Sequence, residues 1–276
     1  MALDYCRYRA RAGRVALAGE VIDLPLGPTA HPSFPQPDDD STLVWRYMDL
    51  PKFLAMMLRK ELFLARIDRL PDKFEGTLPR LTRDAIEAQM AIEKAAITPE
   101  RIKSIAQFMV DSTHQNRSSL YVNCWRLGDE ESDAMWRLYC GTAEGLAVVL
   151  PYARLRESVE TEKSSSYVGL VSYIDFESDL IPAGNVFNAA MYKRKEFKYE
   201  QEARIAHMGE LATHSVTAPP ISHLVPWPPE EYVERVVISP YAEQWYVDVV
   251  AESVRAFAPR LASRIEDSAM RHGPYL

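Results

Sequence analysis

The sequence predicts an α+β fold, in which a mixed and largely antiparallel sheet is flanked by helices. Short runs rich in valine, isoleucine and aromatic residues, which are typical of strands, are separated by segments whose apolar residues recur at helical spacing. The two kinds of segment do not alternate strictly, as they would around a parallel sheet. Apolar residues make up 47% and charged residues 26% of the chain, so a core can form without a metal or a disulfide.

The chain is expected to begin with a tail ahead of the folded domain. Residues 1–42 combine a short basic segment with a stretch, 24–42, that is dense in proline and aspartate. That composition favours an extended surface segment over a packed element. We therefore expect a single α+β domain at residues 43–276.

Strand-forming runs predict the main sheet. Six strands are expected, at residues 43–47, 62–66, 120–125, 145–150, 167–175 and 202–208. Two more are expected closer to the carboxyl terminus, at 233–238 and near 263–269.

Helices are predicted where apolar residues recur at i, i+3, i+4 and i+7. Asp49 is placed to cap the first of them, and Thr98 followed by Pro99 forms a typical helix start within a longer helical stretch. The predicted helices lie at 50–58, at 82–112 in two pieces, at 133–139 and at 242–257.

Composition also restricts the class of function. A net charge of −7, from 39 acidic and 32 basic residues, provides no long-range attraction for nucleic acid, which is therefore a disfavoured partner. Three cysteines without CxxC spacing and the lack of a long apolar stretch favour a cytoplasmic protein with no membrane partner. The six histidines do not have metal-ligand spacing, and GxGxxG, P-loop, GxSxG and HExxH motifs are missing, so no metal is expected.

Several short segments, taken in order, resemble the bacterial family called domain of unknown function 2971. They are Trp45 to Tyr47, Leu62 to Leu64 with Asp72 to Glu75, Met135 to Tyr139 leading to Gly145 to Val148, and Lys195 with Tyr199 to Ile205. The resemblance spans about residues 43–240. The chain differs from the family before Phe74, where Leu70 to Lys73 replace the usual Asn-Asp-Pro.

The order of elements in that family is similar to that of ADP-ribosyltransferases. There, an early strand carries an arginine or a histidine, and a late strand carries a catalytic glutamate, often as Glu-x-Glu. Arg46 and Glu200-Gln201-Glu202 stand in those places, whereas the Ser-Thr-Ser motif of the arginine-type class is missing. The resemblance implies a transferase or glycohydrolase that uses NAD as substrate and cleaves its nicotinamide–ribose bond.

The two glutamates have the chemistry that this reaction requires. Residues i and i+2 of a strand share a face, so Glu200, Glu202 and Arg204 are expected on one side of their strand. Glu202 would stabilise the oxocarbenium-like centre, and Glu200 would orient or deprotonate the incoming nucleophile. We expect Glu202→Gln to reduce nicotinamide release and to leave the melting temperature near that of the wild type. Alternatively, Glu-x-Glu-x-Arg is a solvated strand face with paired charges.

Six other residues are candidates for binding the NAD substrate. The planar fork of Arg46 suits a pyrophosphate, although a buried arginine paired with an acidic residue such as Glu75 would give the same pattern. Lys195 could contact phosphate or be a solvated charge. Aromatic rings can stack on nicotinamide or adenine, or simply pack in the core, and the candidates are Tyr47, Trp125, Trp136 and Tyr139. We expect Arg46, Tyr47 and Glu202 to converge on one pocket.

Two other functions stay open at this point. The same cleft could hold a nucleotide or another partner without turnover, as a regulatory module. The chain could also be a nucleic-acid-modifying enzyme, with a basic patch formed by Lys193, Arg194, Lys195 and Lys198.

Overall fold

The structure is a computed structural model that describes residues 14–17, 20–23, 31–93, 97–141, 143–160, 165–182, 185–209 and 219–271. The strands of the described residues are β1 Arg14–Leu17, β2 Glu20–Asp23, β3 Leu43–Asp49, β4 Glu61–Arg66, β5 Leu120–Leu127, β6 Gly145–Pro151, β7 Ser166–Leu170, β8 Ser172–Ile174, β9 Tyr192–Arg194, β10 Glu202–Met208, β11 Ser222–Pro226, β12 Arg235–Ile238 and β13 Ile265–Asp267. The α-helices are α1 Leu50–Arg59, α2 Arg80–Glu93, α3 Pro99–Asn116, α4 Asp133–Tyr139, α5 Tyr152–Val159, α6 Pro229–Tyr232 and α7 Gln244–Phe257.

A nine-stranded sheet organises the fold. Its main path runs β11-β4-β5-β3-β6-β12-β13, and β10 pairs with β5 and with β7. All pairs in it are antiparallel except β12 with β13. The predicted α+β fold with a mixed, largely antiparallel sheet and flanking helices is therefore confirmed.

Strand β5 is the branching point of this sheet. Along one side it pairs with β10 over residues 120–126, and along the other it pairs with β3 near its end and with β4 near its start. Arg126, near the end of β5, consequently lies between Trp45 of β3 and Glu202 of β10. This junction brings three distant parts of the chain together.

The two faces of the sheet are buried differently. The larger core lies on one face, where residues of β3 and β10 such as Val44 and Ile205 pack with Val250 of α7. On the other face, α4 covers β3 through Trp136, which contacts Tyr47. Among the described residues, no helix is both long and apolar enough to cross a membrane.

Residues 31–42, which the sequence assigns to the tail, pack against the domain. Phe34 is 2% exposed and its ring lies 5.2 Å, centroid to centroid, from both Tyr167 and Phe187. A Cβ at Gly169 would come within 2.7 Å of the Cα of Phe34, so this close approach requires a glycine. Packing therefore begins ahead of the predicted boundary at residue 43. Within the same predicted tail, β1 and β2 pair with each other, and its other residues before His31 lie outside those described.

Candidate active site

A left-handed residue separates the two predicted catalytic glutamates. Glu200 ends a 3-10 helix, Lys195–Glu200, and Gln201 has φ 45° and ψ 54° before β10 begins at Glu202. The expectation that Glu200 lies on the strand with Glu202 and Arg204 is therefore wrong, because the left-handed turn breaks the alternation of strand side chains. The turn nevertheless directs both carboxylates to the same ammonium group, that of Lys193 in β9.

Five buried charged side chains form one network around this lysine. Lys193 Nζ donates to Glu202 Oε1 at 2.7 Å and to Glu200, and lies 3.3 Å from Glu75 Oε1. Arg204 donates through Nε to Glu202 Oε2 at 2.9 Å and through Nη1 to Glu75 Oε2 at 2.8 Å. Three carboxylates thus face two cations inside the protein, so the network carries one negative charge in excess when every member is ionised.

Burial and the neighbouring charges shift the pKa values of the two neighbouring glutamates in opposite directions. Burial raises the pKa of Glu200 to about 7, and both a hydrogen bond with Glu202 and the negative charge of Glu202 act in the same direction. Burial would also raise the pKa of Glu202, but the positive charges of Arg204 and Lys193 outweigh it and hold this pKa well below its usual range. Near neutral pH, Glu202 is ionised while Glu200 exchanges a proton.

The network corrects the predicted effect of Glu202→Gln on stability. Both oxygens of Glu202 are occupied by buried cations, Oε1 by Lys193 and Oε2 by Arg204. Glutamine keeps only one acceptor oxygen and no charge, so one of these buried cations loses a charge-assisted hydrogen bond, which costs about 1–3 kcal/mol. The melting temperature of this variant is therefore expected to fall, contrary to the prediction from sequence.

A cavity of about 50 Å³ lies beside the two glutamates. Strands β3, β5 and β10 and helix α4 supply most of its walls, which are formed by Trp45, Tyr47, Cys124, Trp125, Arg126, Met135, Tyr139, Glu200 and Glu202. The hydroxyl of Tyr139 donates to Glu200 Oε1 at 3.0 Å, which links the aromatic wall to the charged network. Burial raises the pKa of Cys124 to about 12, so this thiol is a poor nucleophile at neutral pH.

Five of the eight predicted site residues line this cavity, namely Tyr47, Trp125, Tyr139, Glu200 and Glu202. Arg46 does not, and the predicted convergence of Arg46 with Tyr47 and Glu202 is wrong. Arg46 alternates with Trp45 and Tyr47 along β3 and leaves the sheet on the opposite face, where its Cζ lies 5.9 Å from the centroid of the Trp125 ring. Its suggested partner Glu75 binds Arg204 and Lys193 instead.

The two other predicted NAD-binding residues also lie outside the cavity. Trp136 is fully buried beneath Tyr47, with ring centroids 4.8 Å apart, and its indole donates to Glu131 Oε2 at 3.0 Å, so it packs in the core. Lys195 is an exposed residue whose side chain forms an ion pair with Asp175.

The basic run 193–198 does not form the patch that the nucleic-acid hypothesis requires. Lys193 is buried in the network, and Arg194 is paired with Asp72 at 3.0 Å. Lys195 also forms an ion pair, so three of the four cations in this run are paired with carboxylates of the protein.

Arg126 is the charged residue among the four cavity residues that the sequence did not indicate, the others being Trp45, Cys124 and Met135. It follows the predicted strand 120–125, and only the pairing of β5 with β3 and β10 places it beside Trp45 and Glu202. Strand alternation gives it the same face as Cys124, but the sequence contains no signal for which strands flank it.

The chain matches no family model, and no curated protein or solved structure matches it. The family resemblance therefore stays a prediction. In the part of the chain that the structure describes, no three histidine, cysteine, aspartate or glutamate side chains are arranged to hold a metal ion.

Proposed function

We propose that the cavity binds the nicotinamide end of NAD and that the protein is an ADP-ribosyltransferase-like enzyme that cleaves the nicotinamide–ribose bond. One observation carries the proposal: Glu200 and Glu202 line the same aromatic-walled cavity and have pKa values shifted in opposite directions. Paired carboxylates whose pKa values are shifted in opposite directions are typical of sites in which one group stabilises charge and the other transfers a proton.

The two glutamates would act at different stages of the reaction. When the bond between ribose C1′ and the nicotinamide nitrogen breaks, its electron pair leaves with nicotinamide and positive charge develops on the ribose. The ionised Glu202 would stabilise that charge. As a water or acceptor oxygen bonds to C1′, its proton would pass to Glu200, whose pKa of about 7 suits a base at neutral pH.

The aromatic residues supply a surface for the leaving ring. Trp45 and Tyr47 lie nearly parallel, with ring centroids 6.1 Å apart and planes at 17°, and both line the cavity. The free volume of about 50 Å³ is well below the range for ligand sites, so binding of a nicotinamide ring would require the walls of the cavity to move apart.

Nicotinamide release from NAD tests the proposal. Glu202→Gln is expected to slow release by about a hundredfold or more, and Glu200→Gln by a similar factor, because each removes one catalytic group. Rates are measured below the melting temperature of every variant, since Glu202→Gln also lowers stability. Glu196→Gln is the matched control, because Glu196 lies exposed on the same 3-10 helix and does not line the cavity.

Wild-type protein that neither binds nor cleaves NAD would contradict this proposal. Binding without release would instead favour the second candidate, a regulatory module that holds a nucleotide without turnover. The full occupation of both Glu202 oxygens by Lys193 and Arg204 supports that candidate, because such a carboxylate can serve the fold alone.

A further inference from the structure

We infer that Arg126 is an anion-binding residue of the cavity, so that its ligand carries a phosphate or a carboxylate in addition to a ring. The inference deepens the proposed function and uses the same cavity, but it does not require turnover. It rests on how Arg126 is held, on the acceptors it has, and on its place in the wall.

Neutral groups hold the Arg126 guanidinium in place. Nη1 donates to the backbone carbonyl of Glu130 at 2.6 Å, and Nη2 donates to the side-chain Oε1 of Gln201 at 3.1 Å. Gln201 is the left-handed residue between the two glutamates, so the same turn that directs their carboxylates to Lys193 also positions Arg126. An arginine held in advance loses little conformational freedom when a ligand binds.

Arg126 differs from the cations of the buried network in its charged neighbours. No carboxylate of the described chain forms an ion pair with it, whereas Arg204 and Lys193 each contact at least two. Glu202 of β10 is the direct partner of Arg126 on the adjacent strand, but its two oxygens are directed to Arg204 and Lys193. Arg126 therefore has no direct ion-pair partner among the described residues, and the excess negative charge of the network lies on the neighbouring strand.

Donor groups of Arg126 are also left over. A guanidinium has five N–H groups, and the two hydrogen bonds above use two of them. The Nε group is buried and makes no hydrogen bond within the described part of the chain. A buried donor without a partner is uncommon in proteins, and an anion bound at the guanidinium would supply the missing acceptor.

A glycine makes room for the guanidinium at this position. Gly128 has φ +139°, and a Cβ there would lie 3.2 Å from Arg126 Nη1. The backbone of Gly128 is fixed at both ends, since its carbonyl accepts from the indole of Trp45 at 2.7 Å and its N–H donates to Leu43 O at 2.9 Å. The tryptophan of the aromatic wall thus also stabilises the start of the loop that follows β5 and Arg126.

The chemistry of the ligand follows from these neighbours. A guanidinium fork binds planar or tetrahedral oxyanions through paired N–H groups, and here it lies in one cavity wall with the rings of Trp45 and Tyr47. A phosphate on the ribose or a carboxylate on the ring would satisfy it. With NAD as the substrate, the group is the phosphate next to the nicotinamide ribose.

Calorimetric titration with four small probes tests the inference. Nicotinamide mononucleotide is nicotinamide riboside with an added phosphate. Nicotinate carries a carboxylate on the ring where nicotinamide carries a neutral carboxamide. In the wild type, we expect the mononucleotide to bind about tenfold or more tightly than the riboside, or nicotinate to bind about tenfold or more tightly than nicotinamide. The pair that shows this preference identifies the anion as the phosphate or as the carboxylate. Arg126→Gln should remove this preference and leave the Kd of the partner probe unchanged. Arg154→Gln is the control, because Arg154 pairs with Glu234 and does not line the cavity.

A second measurement keeps the test independent of the folding of Arg126→Gln. Arg126→Lys retains the charge but loses the fork, so it should keep part of the preference. An anion preference that is the same in the wild type, Arg126→Gln and Arg126→Lys would overturn the inference, and so would a wild type that binds none of the four probes. If the preference depends on Arg126 but no nicotinamide is released from NAD, the catalytic proposal fails and the assignment of Arg126 stands.

Discussion

Glu200 and Glu202 are two residues apart, yet their carboxyl groups respond to opposite influences. Glu202 lies between two buried cations, whereas Glu200 shares one of them and also receives a hydrogen bond from the Tyr139 hydroxyl. The proton that neutralises the excess negative charge is therefore held by Glu200. At the scale of single residues, the proton on Glu200 can be detected through the pH dependence of stability.

The stability of the protein should depend on pH through Glu200. Its pKa is raised from 4.5 to about 7 in the folded state, so between these values the folded protein holds a proton that the unfolded chain releases. The stabilisation is present below about pH 4.5 and is lost as the pH rises through 7. The free energy of unfolding of the wild type, minus that of Glu200→Gln, should fall by on the order of 3 kcal/mol between pH 4.5 and 8.

Urea denaturation of both proteins across this pH range measures the difference. Because both proteins contain the same histidines, the contributions of these histidines to the pH dependence of stability cancel in the difference. Among them His207, whose pKa burial and His223 lower to about 4, contributes with the opposite sign. A difference that stays constant with pH would show that Glu200 does not hold the proton.

Residue identity alone could not distinguish the two arginines next to tryptophan in the cavity region. The sequence suggested Arg46 for the anion, and the structure has Arg126 in the cavity wall instead. Both follow a tryptophan on a strand, Trp45 and Trp125. The choice between them depends on which face of each strand meets helix α4, and that is set by the pairing of distant strands.

At the scale of elements, α1 illustrates how local signals begin and end a helix. Asp49 caps its start, with Oδ1 accepting from Lys52 N at 2.9 Å, as the sequence predicted. Its end lies at Lys60, which adopts φ 54° and donates its N–H to Met56 O at 3.0 Å before β4 begins. Glycine usually occupies such a left-handed position, because it has no Cβ to strain.

Lys60→Gly should therefore stabilise the protein. Relief of the left-handed strain is worth about 1–2 kcal/mol, and the greater freedom of glycine in the unfolded chain offsets about half of it. We expect a net gain of about 0.5–1 kcal/mol in the free energy of unfolding, measured by urea denaturation. Arg59→Gly, one residue earlier and inside the helix, is the control and should cost about 1 kcal/mol. Equal effects of the two glycines would contradict the assignment of Lys60 as the cap.

Element types were predicted well where short-range patterns determine them, and less well where distant contacts do. All six predicted strands of the main sheet coincide with observed strands, but the run 167–175 divides into β7 and β8. Val171 N donates to Glu202 O, whereas Ser172 N donates to Met191 O, so the chain changes partners between these two residues. Such a change depends on the position of β9 and β10, and the β-prone sequence continues through it.

At the scale of the whole molecule, an aromatic cluster joins residues before the first strand of the main sheet to its far edge. Phe34 lies within ring contact of His31, Tyr167 and Phe187. The backbone continues the connection, because Leu170 N donates to Pro35 O at 2.8 Å. The composition of the segment predicted an extended surface segment and gave no indication of its packing, since one phenylalanine among prolines gives no periodic signal.

Phe34→Ala should show how much this attachment contributes to the fold. Emptying a buried phenylalanine site typically lowers the free energy of unfolding by about 3–5 kcal/mol. Phe108→Ala provides the matched control, because Phe108 is 70% exposed on α3 and its loss should change stability by no more than about 0.5 kcal/mol. Thermal and urea denaturation measure both variants. A small effect at Phe34 would mean that the segment rests on the domain without supporting it.

The left-handed conformation of Gln201 has a consequence for recognising this site in other chains. Two glutamates converge on one lysine only if the residue between them tolerates a positive φ, which glycine and asparagine do best. The informative pattern is therefore a lysine, then Glu-x-Glu-x-Arg beginning seven positions later, with a turn-forming residue between the glutamates, as in Lys193, Glu200, Glu202 and Arg204. A β-branched residue between the glutamates would disfavour that turn, and a Glu-x-Glu of that kind would mark an ordinary strand whose carboxylates point along one face without a shared cation.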